Sequence, residues 1–258
     1  MQTLLKTEAI VLRIAPHSKT SHVVTWLTRD FGMLATVVKG ACRPKSVFLG
    51  QYDLFYTCEI VFYAGKGGPL HNIRECSPLN LRSHLRTAWR ANLAAGYLID
   101  LTRQLLHPGE KTDGIFSALA AALDALDTTD PTGLVNRYEL HLLRELGHLP
   151  KISLCSKCRT EKKQWYRFAP ASGIFVCDHA PRNETTVSLD AVTAEYFAAF
   201  VESVWKGRHE KPAPSAAASL GVSRIISVFL NFCFDGTPAS RRILFEMLND
   251  PTIQRTSA

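Results

Sequence analysis

Three cysteines and one histidine form the sharpest chemical pattern in this 258-residue sequence. Cys155-Ser156-Lys157-Cys158 is followed, eighteen residues later, by Cys177-Asp178-His179. Two thiolates at C-x-x-C spacing can share one tetrahedral Zn²⁺, and a second pair roughly 15–20 residues on closes such a site. A strict repeat would put its last cysteine at position 180, which is alanine, and His179 is the nearest residue whose nitrogen can bind a metal. Cys155, Cys158, Cys177 and His179 are therefore the candidate ligands of a closed, structural zinc site. A metal-free remnant of such a site is the alternative reading. Lys151, Lys157, Arg159, Lys162, Lys163 and Arg167 surround Trp165, Tyr166 and Phe168 in the same segment. Basic residues interleaved with aromatics can hold phosphates and stack bases. The same aromatics equally suit packing against the cysteine loop or the adjoining helices.

A second basic set lies near the N-terminus. Arg13 and Lys19 flank the first turn, Lys39, Arg43 and Lys45 follow a strand into a loop, and Lys66 and Arg74 sit on the last hairpin. Residues 1–80 carry nine Lys/Arg against five Asp/Glu, and residues 151–185 carry seven against three. The remaining segments are near balance, so the net charge of +7 lies in these two regions. Basic surface gathered in this way suits a polyanion, because phosphate contacts release condensed counterions. Tyr52, Phe55 and Tyr56 could stack bases, although strand alternation turns at least half of such aromatics into the core.

The elements that must position these residues follow from periodicity. Glu8–Arg13, His22–Thr28, Met33–Lys39, Asp53–Tyr63 and Leu70–Cys76 are short runs rich in β-branched and aromatic residues, with turn signals between them. Five strands in 80 residues, none separated by a long helix, predict a small antiparallel barrel. An OB-type barrel is the natural candidate, and an SH3-like one stays open. After Pro78 the period becomes helical, with helices expected over 81–106, 113–126 and 134–146, the last ending at Gly147. A loop-rich insert follows, then a helix capped by Ser188 and running to about Trp205, a helix over 222–234, and a last helix opened by Thr237-Pro238. The expected architecture is α+β and multidomain: a barrel at 1–80, a helical domain in two parts at 81–150 and 188–258, and a zinc-finger-like insert at 151–187.

At 46% hydrophobic and 21% charged, the chain can bury a sizeable core. No stretch approaches the roughly 18 uncharged apolar residues of a membrane span, and the N-terminus has no basic region ahead of an apolar core. A cytoplasmic, nucleoid-associated location is expected. The scattered Cys42, Cys58, Cys76 and Cys233 are expected as small buried side chains. The phosphate-cradling G-x-x-x-x-G-K-[ST], H-E-x-x-H and G-x-S-x-G patterns are all missing from the sequence, which fits a binding role rather than an enzyme.

In their order and spacing, several stretches resemble the bacterial recombination mediator family RecO. They are Ala9–Arg13, Thr28–Leu34, Val38–Ser46, Tyr138–Pro150 leading into Cys155-x-x-Cys158, and Ser240–Leu244. The resemblance implies an N-terminal OB fold, a helical C-terminal domain and a zinc module. It implies binding to single- and double-stranded DNA, annealing of complementary strands, cooperation with RecR, and loading of recombinase on DNA coated by the single-strand-binding protein. It also implies that the acidic, apolar C-terminal tail of the single-strand-binding protein docks on the helical domain, where Arg137 is the expected carboxylate partner. Two rival readings are a zinc-containing RNA-binding module and a zinc-dependent enzyme that modifies nucleic acid.

Overall fold

The computed structural model describes residues 3–65, 70–110, 113–126, 131–149, 152–154, 165–169, 174–176, 186–207, 215–234 and 236–249. Two compact units divide the chain: residues 1–131 with 238–258, and residues 132–237. These units cut across a simple barrel-plus-helical-domain partition, because the chain leaves the first unit near residue 131 and returns to it for its last helix.

The first unit begins with five strands, β1 (Leu4–Ser18), β2 (Ser21–Thr28), β3 (Gly32–Val38), β4 (Thr57–Tyr63) and β5 (Leu70–Asn80). They close in the order β1-β2-β3-β5-β4, with β1 paired to both β2 and β4. This is the OB-type order, and it departs at one pair from the all-antiparallel barrel expected from the sequence. β3 and β5 pair in parallel while every other pair in the barrel is antiparallel. The reason is topological: the long connection from β3 to β4 carries the chain across the barrel, so β5 returns beside β3 in the same direction. The interior holds Val24, Trp26, Leu34, Val38, Ile60 and Phe62, the β-branched and aromatic residues that alternation turns inward. Buried Trp26 satisfies its indole by donating to Thr36 Oγ1 at 2.9 Å.

Helices α1 (His84–Thr87), α2 (Trp89–Leu105), α3 (Asp113–Ala125) and α7 (Ala239–Asn249) complete this unit. The continuous helix expected over 81–106 is interrupted at Ala88, whose backbone is extended. Gly32 marks how closely the barrel and the 107–110 segment approach. Its φ is +65°, and an added Cβ would lie 1.8 Å from the Glu110 carbonyl oxygen, so no larger residue fits there. Arg82, at the end of the barrel, donates to Phe55 O, to Thr57 Oγ1 at 2.9 Å and to Asp124 at 2.7 Å. One buried guanidinium thus ties the start of β4 to α3. Its burial holds its pKa below the ordinary value, against the pull of Asp124.

The second unit contains α4 (Thr132–Glu145), strands β6 (Ser153–Leu154), β7 (Trp165–Ala169), β8 (Ile174–Val176) and β9 (Val187–Asp190), and helices α5 (Ala191–Trp205) and α6 (Ala216–Cys233). The strands form one sheet in the order β6-β8-β7-β9, in a region the sequence had suggested was loop-rich. Leu143, Phe168, Phe197, Phe200, Ile225 and Phe229 share its core. The cap of α5 is Asp190 rather than Ser188. Its carboxylate accepts from Thr193 N at 2.8 Å, whereas Ser188 is a β9 residue paired with Arg167. Both residue types cap helices well, and the short strand before α5 moves the cap by two positions.

Candidate nucleic-acid interface

The register of the barrel gathers its loops. Ser18 pairs with Ser21, His22 with Val38, and Val37 with Asn72. The β1–β2 turn, the end of β3 and the start of β5 are therefore neighbours. Lys19 occupies that turn, Lys39 is the first residue after β3, and Arg43 and Lys45 follow in the connection to β4; all four are exposed.

Hydrogen bonds fix this end of the barrel. Cys42 N donates to Thr20 O at 3.2 Å, joining the β3–β4 connection to the β1–β2 turn. Gly40 N donates to Ser21 Oγ at 3.4 Å. Gly40 has a φ of +72°, and the Arg43 side chain lies over it, its Cδ 3.4 Å from where a Cβ would be. Successive turns continue the connection, with Arg43 N donating to Gly40 O, Ser46 N to Arg43 O and Gln51 N to Phe48 O. The lysines and Arg43 thus stand on backbone that is held in place on both sides.

Charge pairing separates these residues from the other barrel cations. Lys6 pairs with Glu59, Arg29 with Glu8, and Arg74 with Glu75 at 3.2 Å. Asp53 pairs with Arg86, and Asp30 accepts from Thr7 Oγ1. Every carboxylate of residues 3–80 thus has a partner elsewhere, and among the described residues none pairs with Arg13, Lys19, Lys39, Arg43 or Lys45. Arg13 is exposed on β1, beside a register shift opposite Thr25. Arg74 is the one described member of the predicted barrel set that is neutralised by a neighbour.

The expected stacking aromatics serve the barrel instead. Phe55 and Tyr56 are buried. Tyr52 is half-buried, its hydroxyl 2.8 Å from His22 Nδ1 and its ring edge-on to Trp26. Cys58 and Cys76 are buried as expected, both sulfurs facing Gln51 O, but Cys42 is exposed and Cys233 only half-buried. Cys42 escapes the core because it sits in the β3–β4 connection. Sequence patterning gave no sign of the exposed apolar residues Val47 and Leu49 in this connection, since an irregular segment has no period to read.

In the second unit, Arg167 is half-buried on β7, which pairs with both β8 and β9. Phe168 lies in the core with its ring edge-on to Phe197, so it packs rather than stacks bases. Arg137 is half-buried on α4, its guanidinium 5.5 Å from the centroid of Phe200, on which Tyr196 stacks. Burial lowers the Arg137 pKa, while Tyr196 acts in the opposite direction. Cys155, Cys158, Cys177 and His179 lie outside the described residues, as do Lys66, Lys157, Arg159, Lys162 and Lys163. Among the described residues no cluster of three His, Cys, Asp or Glu side chains could hold a metal ion, and no helix is long and apolar enough to cross a membrane.

Comparison with known proteins agrees with this architecture. Residues 1–82 match the family described as recombination protein O N terminal, and residues 86–241 the one described as recombination protein O C terminal. The DNA repair protein RecO of Rhodopirellula baltica is 31% identical over 196 residues, covering 72% of each chain. That of Moorella thermoacetica is 29% identical over 179 residues, which span 69% of this chain and 66% of that protein. That of Roseiflexus sp. is 32% identical over 176 residues, 67% of this chain and 60% of that protein. With both terminal regions matched, the second over more than half of its length, the chain belongs to the recombination protein O (RecO) family.

Proposed function

We propose that this protein acts in recombinational DNA repair as a mediator that holds DNA strands together without breaking a bond. The observation that carries the reading is the group of cations Lys19, Lys39, Arg43 and Lys45, paired with no carboxylate among the described residues, on hydrogen-bonded backbone at one end of an OB-type barrel. OB barrels bind oligonucleotides on the β2–β3 face and through the loops at this end. Two DNA strands repel one another, and neutralising phosphates on both lowers the cost of bringing them into pairing distance. Single- and double-stranded DNA are both substrates in this reading, and Arg13 extends the cationic track along β1.

Family resemblance extends the proposal to RecR and to recombinase loading on DNA coated with single-strand-binding protein. The acidic, apolar tail of the single-strand-binding protein would meet Arg137, where a cation over an aromatic ring suits a carboxylate at the end of an apolar peptide. Zinc held by Cys155, Cys158, Cys177 and His179 belongs to the same proposal. It draws support from β6 and β8, which run parallel and in register just before Cys155 and Cys177. The basic residues Lys157, Arg159, Lys162 and Lys163 in that segment, with Arg167, would add a second contact to DNA. The cytoplasm, beside the nucleoid, is where such a protein would work.

The test is annealing of complementary oligonucleotides with no nucleotide present. The expected result is acceleration by the wild-type protein and its loss in the combined Lys39→Ala, Arg43→Ala, Lys45→Ala variant. Equal annealing by the two proteins would remove the barrel from the mechanism. A strong preference for RNA over DNA of one sequence would move the protein to RNA binding.

A further inference from the structure

Cys42 is the exposed member of a three-residue chain that the proposed DNA mechanism does not use. Its sulfur lies 3.3 Å from His22 Nε2, and His22 Nδ1 lies 2.8 Å from the Tyr52 hydroxyl. With Nδ1–H donating to Tyr52 Oη, Nε2 is left as the acceptor facing the thiol. Burial, with the Cys42 and Cys76 sulfurs adding to it, pushes Tyr52 up to about 12, so the phenol stays neutral and keeps the ring oriented. A nucleophile, a base within hydrogen-bond reach and a third group that fixes the base form the arrangement that activates cysteine in general. Lys39 and Arg43, both exposed and with no carboxylate paired to them among the described residues, flank the same stretch. An electropositive, accessible setting of this kind favours reaction at sulfur.

We propose that Cys42 is a modification site that reacts with hydroperoxides and is then capped by a small anionic thiol. In the first step the Cys42 sulfur attacks the terminal peroxide oxygen. An S–O bond forms as the O–O bond breaks, the sulfur is oxidised and the peroxide reduced. The thiol proton passes to His22 Nε2 and on to the departing oxygen, giving an alcohol or water. In the second step a low-molecular-weight thiol displaces hydroxide from the sulfenic acid, leaving a mixed disulfide and water. Cys58 and Cys76 are buried inside the barrel, so capping comes from solution rather than from these neighbours. The anionic adduct stands among Lys19, Lys39 and Arg43 and competes with phosphate for them; this consequence, unlike the reactivity, rests on the DNA-binding proposal.

The experiment is native-state alkylation of the full chain with iodoacetamide, read for each cysteine by mass spectrometry, in wild type, His22→Gln, Tyr52→Phe and Cys42→Ser. Cys42 of the wild type should react at least about tenfold faster than Cys42 of His22→Gln, with Tyr52→Phe in between. Cys58 and Cys76 staying unlabelled reports that each variant is folded. Peroxide followed by glutathione should then add one glutathione at Cys42 and weaken oligonucleotide binding in wild type but not in Cys42→Ser. Equal alkylation rates in folded wild type and His22→Gln would overturn the proposed reactivity. Fast alkylation and full capping with unchanged oligonucleotide affinity would leave the reactivity standing and contradict the DNA-binding surface.

Discussion

The strands of the barrel and the loops at its end carry the same kinds of charged residue and use them differently. On the strands, Glu8 of β1 lies directly opposite Glu59 of β4, a like-charge pair that costs stability when left alone. Lys6 captures Glu59 and Arg29 captures Glu8, so these cations relieve strain within the sheet. At the loop end, Lys19, Lys39, Arg43 and Lys45 meet no carboxylate among the described residues, and their charge faces solvent. Arg82 is a third case: its side chain is 1% exposed and its hydrogen bonds all serve the fold. Residue type alone does not separate a structural cation from one available to a polyanion. Register and burial do.

The largest effect should come from the buried member. Arg82→Leu leaves Phe55 O and Thr57 Oγ1 without their charged donor and should cost about 2–4 kcal/mol of unfolding free energy by urea denaturation. A cost below about 1 kcal/mol would put Arg82 in the same class as the surface pairs. Next, the combined Lys39→Ala, Arg43→Ala, Lys45→Ala variant should lose about two orders of magnitude in single-strand affinity near 0.1 M salt, from three phosphate contacts. Lys6→Ala, Arg29→Ala and Arg74→Ala together should stay within about threefold of wild type, because their charge is already neutralised. Comparable losses in the two triple variants would erase the distinction between cations held by carboxylates and those facing solvent.

Acidity offers a finer contrast. His71, the second residue of β5, accepts from Gly65 N at 2.9 Å, and burial holds its pKa below the ordinary 6.5. Its protonation therefore disfavours the folded state. Its contribution to stability is complete above pH 6.5 and is lost as pH falls below that value. Thermal unfolding followed from pH 7.5 to pH 5.5 should show this decline, and His71→Gln should flatten it. The smallest effect belongs to Lys6→Ala, which should cost under about 1 kcal/mol in the same denaturation assay.

Much of the fold was legible in the sequence, and the reasons differ by element. The five barrel strands announce themselves by β-branched runs, and the six longer helices by apolar spacing. The break at Ala88 leaves no mark, because the residues around it keep a helical pattern. The sheet of the second unit was hidden, since β6 and β8 are two and three residues long and so short a strand has no period. The parallel pairing of β3 with β5 is set by the route of the chain, not by any local residue. For the site, composition pointed to the basic loop residues as a group, and the structure adds that Lys19, Lys39, Arg43 and Lys45 are exposed. Composition did not distinguish Arg74, paired with its own neighbour, from Lys39. Nor did it reveal that Tyr52, Phe55 and Tyr56 are committed to the barrel, because position in an irregular connection decides which way each ring turns.

The most direct measurement is the salt dependence of single-strand binding by the wild-type protein. The four loop cations Lys19, Lys39, Arg43 and Lys45, each meeting one phosphate, give a slope of log affinity against log salt near −3, at about −0.7 per contact. A slope of that size in wild type, falling to about −0.7 when Lys39, Arg43 and Lys45 are replaced and Lys19 alone remains, is the expected result. Binding that ignores salt in both proteins would contradict the claim that these loops hold the strand.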